Sequence, residues 1–155
     1  MLEEIFPLGT KLKDLWWESR GGRIRLPEHL SEEKYRDSSK HGEPGITFGR
    51  QIGAYPILVG VPYAIPLESG SDIIVTGHGM RSISGIEYGL DINHATKSQL
   101  QALPGIGDKA SWKIISNRAR RGNKEQGSFA SVEEAFSEAG VTMPPLASEV
   151  FVTTH

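Results

Sequence analysis

The chain has 155 residues, of which 37% are hydrophobic and 23% charged, so it is long enough to bury one ordinary core or two small ones. It has no cysteine, which excludes disulfides, thiol nucleophiles and cysteine-held zinc or iron–sulfur clusters from these residues. The net charge of −2 excludes a chain that coats nucleic acid through its overall charge. No apolar run reaches the roughly 18 to 20 residues of a membrane span and the start Met1-Leu2-Glu3-Glu4 is unlike a signal peptide, which predicts a soluble, cytoplasmic protein.

The first half of the chain alternates short β-type runs with turns that contain glycine or proline. Five short strands favour a small barrel or a sandwich. The polar segment 27–45 has no sustained periodicity, and we predict that it is a mobile surface insertion. The five predicted strands cover residues 10–18, 46–50, 57–61, 71–76 and 82–87.

The residue pattern changes to helical spacing after Leu90. Thr96 with Gln99, and Ser131 with Glu134, have the spacing of capping boxes, which open helices. The sequence therefore predicts an α+β fold with a β domain over residues 1–90, a helical domain over 91–155 and a change of character near residues 88–94. The predicted helices cover residues 97–103, 109–121 with Asp108 as its cap and Gly122 at its end, and 132–139 with Gly140 at its end.

The segment Leu103-Pro104-Gly105-Ile106-Gly107 joins the first two predicted helices. Gly105 and Gly107 permit a tight turn with positive φ and a close approach of a ligand, while Ile106 is expected to pack between the helices. The N–H groups at the start of the second helix then face outward and suit a phosphate oxygen. Lys109 and Lys113, one turn apart, add positive charge beside them.

Positive charge is concentrated around this segment, because residues 95–124 contain seven bases and one acid. We therefore predict nucleic-acid binding through backbone phosphates, without sequence specificity and sensitive to salt. The alternative is that the segment is only a tight connector between two packed helices. The binding residues predicted here are Gly105, Ile106, Gly107, Lys109, Lys113, Arg118, Arg120 and Arg121.

These residues, with Ala110 and Ile114 on the second helix, resemble the helix-hairpin-helix motif of nucleic-acid-binding proteins. The stretch from Ile92 to Val141 is similar to a pair of such hairpins of the bacterial DNA-uptake type. The resemblance implies a second hairpin at residues 139–143, where Thr142 stands in place of the second glycine. This second copy is expected to pack against the first hairpin rather than to bind phosphate.

The β half resembles the TRAM domain, a small OB-like barrel of RNA-modifying enzymes, on Gly9-Thr10-x-Leu12, Phe48-Gly49-Arg50-Gln51, Tyr55-Pro56-Ile57-Leu58-Val59 and Ser82-Ile83-Ser84-Gly85. The resemblance implies RNA binding through a basic groove and stacking side chains. Arg50, Arg81, Tyr55 and Tyr63 are the candidates for these contacts. For the two tyrosines, half-buried packing in a strand is the alternative.

The barrel followed by the helical domain, and the stretch FGRQIGAYPILVGVP, resemble the C-terminal region of an uncharacterised archaeal family of radical S-adenosylmethionine iron–sulfur oxidoreductases. The resemblance implies a separate catalytic domain in the full-length protein, which holds the iron–sulfur cluster and the S-adenosylmethionine. For this chain it implies neither a cofactor nor catalysis. The implied function is the delivery of nucleic acid, RNA rather than DNA, to that catalytic domain. A protein-interaction module that docks the catalytic domain is the competing hypothesis.

The remaining aromatic and histidine residues leave fewer expectations. Trp16 and Trp17 point to opposite faces of a strand, so one of them should enter the core. Trp112, on the basic helix, suits either the core or a ligand contact. The five histidines lack metal-binding spacing, which predicts no metal site, and His78 between two glycines is interpreted as a turn residue first.

Overall fold

The computed structural model describes residues 2–17, 41–51, 58–66, 70–79, 82–123 and 128–153. The chain divides into two compact units, Met1–Glu87 and Tyr88–His155. Tyr55, Arg81 and most of the predicted insertion over 27–45 lie outside the described residues.

The first unit contains five strands that follow a short helix, α1 (Leu2–Ile5). Each predicted strand has a counterpart whose ends lie within two residues of the predicted ones. The strands are β1 (Lys11–Trp17), β2 (Thr47–Gln51), β3 (Leu58–Val61), β4 (Gly70–His78) and β5 (Ser82–Glu87).

Each of these strands pairs with two others, in the order β1-β2-β3-β5-β4 with β4 pairing back to β1, and we call this arrangement the barrel. The pairs are antiparallel except for β3 and β5, which are parallel. The interpretation of His78 as a turn residue is wrong. β4 extends far enough for His78 to pair with Ile83, and the N–H of the next residue, Gly79, donates to the carbonyl of Ser82 at 2.7 Å.

Buried residues alternate with more exposed ones in β3, whereas β4 buries three successive residues, Ile73, Ile74 and Val75. Trp17 is buried, with 0% exposure, and its indole N–H donates to Ser71 Oγ at 2.6 Å. A buried indole N–H needs such an acceptor. The aliphatic residues fully buried in the same unit include Leu15, Val59, Val61, Ile73, Ile74, Val75 and Ile86.

The second unit contains helices and one short pair of strands. β6 pairs in parallel with β7, so that Leu90 lies beside Phe151 and Asp91 beside Val152, which joins the start of this unit to its end. The elements are β6 (Leu90–Asp91), α2 (Lys97–Ala102), α3 (Asp108–Asn123), α4 (Val132–Ala139), α5 (Ala147–Val150) and β7 (Phe151–Val152). None of the helices within the described ranges is long and apolar enough to cross a membrane.

At α2 and α4 the helix caps fall on the predicted residues. Thr96 and Gln99 form a complete capping box at the start of α2. At α4, Ser131 Oγ accepts from the N–H of Glu134, but the Glu134 carboxylate accepts from the N–H of Ala130 instead of closing the box. Gly140 ends α4 in the left-handed conformation with φ of 68°.

The ends of α3 differ from the prediction. Asp108 is the first residue of the helix rather than its cap, and the Gly107 carbonyl accepts the N–H of Ser111 at 3.0 Å, so Gly107 takes the N-cap position. The Asp108 carboxylate instead binds Lys97. Gly122 does not end the helix, which continues to Asn123.

Candidate nucleic-acid interface

The connector between α2 and α3 folds back on its own backbone. The N–H of Leu103 donates to the carbonyl of Leu100 at 3.3 Å, and the N–H of Ile106 donates to the carbonyl of Leu103 at 3.1 Å. The Ile106 side chain is 4% exposed, so it belongs to the core of the unit and not to a surface. Its contribution to an interface is therefore limited to holding the connector in place.

The two glycines of the connector serve different purposes. Gly105 has φ of 102°, which favours glycine, and a Cβ there would lie 3.1 Å from Pro144 Cγ, so a side chain would also have to displace the prolyl ring. Pro144 directly follows the predicted second hairpin over residues 139–143, so the chain lies against the first connector at this point. Gly107 is outside the positive-φ region and a Cβ there would meet nothing within 4 Å, so the prediction of positive φ is wrong for Gly107.

The start of α3 has no side-chain cap of the kind that α2 and α4 have. A serine, threonine or aspartate at the N-cap accepts one of the first N–H groups of a helix, whereas the glycine at 107 has no side chain with which to do so. The N–H of Ser111 is the first to bond to a carbonyl of the helix, so the N–H groups of residues 108–110 have no acceptor within the helix. They lie at the positive end of a helix of 16 residues, beside the exposed Gly107.

Three predicted cations lie on the exposed side of α3. Lys109, Lys113 and Arg120 are spaced by four and seven residues, which places them on one face of the helix, and all three are exposed. None of the three has an ion-pair partner among the described residues. This face can therefore offer positive charge to an anionic polymer.

Arg118 is used inside the unit instead. Its guanidinium donates to the carbonyls of Ile92 at 3.1 Å and Ala95 at 2.9 Å, which holds the segment before α2 against α3. Burial lowers the pKa of Arg118, and the negative charge of Asp91 acts in the opposite direction. The side chain is thus engaged with the backbone of its own unit.

Arg121 is also held internally. Its guanidinium lies 3.2 Å from Glu134 and 2.6 Å from Glu138, and it sits 5.1 Å from the centre of the Phe129 ring. Only 13% of its side chain is exposed. We therefore leave both Arg118 and Arg121 out of the candidate interface.

Lys97, Asp108 and Trp112 form a cluster next to the connector. Lys97 Nζ lies 2.5 Å from Asp108 Oδ1 and 4.8 Å from the centre of the Trp112 ring. The lysine thus offsets the Asp108 carboxylate, which would otherwise repel a phosphate. Trp112 is 52% exposed, so it is a surface residue rather than a core residue.

The barrel candidates are placed differently. Tyr63 is 0% exposed, and its hydroxyl donates to Glu87 Oε1 at 2.9 Å while accepting the N–H of Glu87 at 3.0 Å. The prediction of a stacking role for Tyr63 is therefore wrong, because its ring lies in the core. Burial raises the pKa of Tyr63 above its usual range. Arg50 is half-buried on β2 and interacts with other residues of the chain.

A cavity of about 310 Å³ lies on the barrel and was missed by the sequence reasoning. Its lining includes Phe48, Gly60, His78 and the hydroxyl-bearing Ser82 and Ser84. Phe48 and Gly60 are partners across β2 and β3, and a Cβ on Gly60 would lie 3.1 Å from the Phe48 ring. A glycine inside a predicted strand is the signal that could have indicated this close approach. Across the described ranges, no group of three or more His, Cys, Asp or Glu side chains could hold a metal ion.

Comparison with known proteins agrees with the geometry of the second unit. Over 105 residues the chain is 32% identical to an uncharacterized protein of the archaeon Archaeoglobus fulgidus, and this region covers 68% of the chain and 16% of the archaeal protein. The chain therefore spans far less than two thirds of that relative. No solved structure matches the chain. Residues 86–134, which include the connector and the uncapped start of α3, match the family model of the helix-hairpin-helix motif, which is generally associated with nucleic-acid binding.

Proposed function

We propose that this chain is a nucleic-acid-binding module in which the start of α3 binds a backbone phosphate. The observation that carries the proposal is Gly107 at the N-cap. Neither the backbone conformation at 107 nor a lack of space among the described residues requires glycine at this position. An uncapped helix start with no side chain in front of it allows a phosphate oxygen to reach the first N–H groups.

The neighbouring cations support the same ligand. Lys109 and Lys113 stand in the first two turns of α3, and both are exposed. Lysine binds phosphate as a point charge, and backbone N–H groups contact phosphate without reading a base. We therefore expect binding that has no sequence specificity and that weakens as salt rises.

We further propose RNA rather than DNA as the preferred polymer. The support is the resemblance of the first unit to the TRAM domain of RNA-modifying enzymes, with which five strands and a parallel β3–β5 pair are compatible. The hairpin alone does not favour either polymer, since both have phosphates. The preference is thus a property expected of the barrel.

The same proposal includes delivery of the nucleic acid to a radical S-adenosylmethionine domain in the full-length cytoplasmic protein. It rests on the order of the two units and on the archaeal relative, in which the aligned region is 16% of the length. The iron–sulfur cluster and S-adenosylmethionine would belong to that domain, because this chain has no cysteine to bind a cluster. We assign no catalytic step to this chain.

The test is a comparison of two double charge reversals. Lys109→Glu with Lys113→Glu changes the candidate interface, and Lys11→Glu with Lys13→Glu makes the same change of net charge on exposed residues of β1. Binding to labelled single-stranded RNA, double-stranded RNA and duplex DNA is measured across salt. We expect the first double variant to weaken binding at least ten-fold more than the second.

Equal losses of affinity for duplex DNA in the two double variants would attribute binding to total charge and contradict a specific role for the hairpin. Unchanged binding in the first variant would exclude the hairpin as the phosphate site. An absence of binding by the wild-type chain at low salt would overturn the proposal in favour of a protein-docking module. Circular dichroism of both variants checks that each is folded.

A further inference from the structure

One face of α3 is exposed along most of the helix, and we call it the α3 face. It consists of Lys109, Trp112, Lys113, Ser116 and Arg120, which are all exposed. Their spacing of three, four and seven residues forms one continuous stripe. From Lys109 to Arg120 the stripe is roughly 16 Å long, given a rise of about 1.5 Å per residue.

Trp112 is the unusual member of this stripe, because it is a large aromatic residue among cations. Its 52% exposure is high for a side chain that would gain from burial. Lys97 Nζ lies 4.8 Å from the ring centre and is itself held by Asp108. The indole is therefore positioned by its neighbours while about half of its surface stays open to solvent.

We infer that the α3 face binds a single-stranded segment of nucleic acid, with an unpaired base stacked on Trp112 and the adjacent phosphates on Lys109, Lys113 and the start of α3. This inference rests on the proposed function and adds to it the strandedness of the ligand. A base in a duplex has its faces covered by its neighbours, whereas an unpaired base can leave them and stack on an aromatic ring.

Charge complementarity selects nucleic acid over an apolar partner. The ring has Lys109 and Lys113 beside it and Arg120 two turns further along, and none of these cations has a carboxylate partner among the described residues. An apolar protein surface docked on Trp112 would have to cover these charges without compensating them, which is unfavourable. A polymer that alternates flat bases with phosphates matches both features of the stripe.

The experiment measures the affinity of the full chain for three probes of equal length, about 12 nucleotides each. They are a labelled single strand with normal bases, the same strand with abasic sites throughout, and a duplex. The variants are Trp112→Leu, which keeps an apolar side chain without a ring, and Trp112→Phe, which keeps a ring. Leu8→Ala removes a side chain that is 60% exposed in the other unit and serves as the control.

We expect the wild-type chain to bind the normal strand roughly 5- to 100-fold more tightly than the abasic strand. Trp112→Leu should remove this difference and leave the affinity for the abasic strand and the duplex within about two-fold, because the phosphate contacts remain. Trp112→Phe should keep most of the difference, and Leu8→Ala should keep all of it.

The outcomes separate this inference from the proposed function. If the chain binds all three probes but Trp112→Leu behaves as the wild-type chain, the base contact is overturned and phosphate binding stands. If Trp112→Leu weakens all three probes equally while thermal unfolding is unchanged, the ring has a general role and the base contact is again overturned. If the wild-type chain binds no probe at low salt, both the inference and the proposed function are overturned.

Discussion

Replacing Gly107 with serine should make the fold more stable and the binding weaker, and the opposite signs make this the most informative single substitution. A Cβ at 107 would meet nothing within 4 Å, and φ lies outside the left-handed region, so the serine fits without strain. Serine is also preferred over glycine at an N-cap by a few tenths of a kcal/mol. We therefore expect the free energy of unfolding to rise by roughly 0.2–0.5 kcal/mol.

The loss of binding follows from the same side chain. A serine Oγ at the N-cap accepts one of the N–H groups that we assign to the phosphate, which is then no longer available to it. A hydrogen bond to a charged group contributes about 1.5–3 kcal/mol. The expected loss of affinity for single-stranded RNA is therefore roughly 10- to 150-fold.

The control is Gly122→Ser, the same change near the other end of α3. Gly122 is exposed, and a Cβ there would also meet nothing within 4 Å. Affinity is measured by fluorescence anisotropy at low salt, and stability by urea unfolding. Gly107→Ser with full affinity would refute the reasoning, as would an equal loss of affinity in Gly122→Ser.

Three further predictions concern stability. Gly105→Ala should lower the free energy of unfolding by about 1–3 kcal/mol in urea titrations, because φ of 102° and a prolyl ring 3.1 Å from the new Cβ both disfavour alanine. Unchanged stability would contradict the turn geometry. Asn93→Ala should lower the free energy of unfolding by about 2–3 kcal/mol in the same assay, because the buried side chain accepts the Phe129 N–H at 2.8 Å and donates to the Phe129 carbonyl at 3.3 Å. A decrease below about 0.5 kcal/mol would show that water replaces these hydrogen bonds. The hydrogen bond to Glu87 raises the pKa of His41 in the folded chain, and so does the charge of Glu87, against a smaller lowering by partial burial. This contact therefore stabilises the fold below about pH 6.5, and the stabilisation is lost as pH rises through the raised pKa. The melting temperature should thus fall more between about pH 6 and 8 in the wild-type chain than in His41→Gln, and parallel pH profiles would contradict this.

Features that depend on a few neighbouring residues could be predicted from the sequence. The capping box at Thr96 and Gln99 needs only four consecutive residues to form, and it is complete in the structure. The five strands are likewise bounded by local turn residues, and β5 begins and ends at the predicted residues. Gly140 ends α4 because a left-handed C-cap is also decided locally.

Features that depend on distant partners could not be predicted in this way. β6 and β7 have two residues each, and neither would be recognised as a strand without the other, about sixty residues away. For Tyr63 the sequence favours packing in a strand but leaves stacking open, and the packed role is decided only by Glu87, which lies beside its hydroxyl in the structure. Asp108 is a good cap by its residue type, but Lys97 holds its carboxylate and Gly107 takes the cap position.

The number of lysine and arginine residues in a segment overestimates the positive charge available to a ligand. The salt dependence of binding can measure how many of these residues contact phosphates. For single strands, the slope of log K against log salt is about −0.7 for each phosphate that is neutralised. The seven bases of residues 95–124 would then give about −5. Three of them, however, have partners within the unit: Lys97 pairs with Asp108, Arg118 binds two carbonyls, and Arg121 pairs with two glutamates.

Lys109, Lys113 and Arg120 are the cations that the described part of the segment leaves on the α3 face, and three contacts give a slope of about −2. The measurement is a titration of single-stranded RNA at several salt concentrations, with Arg120→Gln as a second chain. Removing one of three contacts should bring the slope to about −1.4. A slope near −5 would contradict this count and mean that further cations contact the strand, either Lys97, Arg118 and Arg121 after leaving their present partners or basic residues of the barrel.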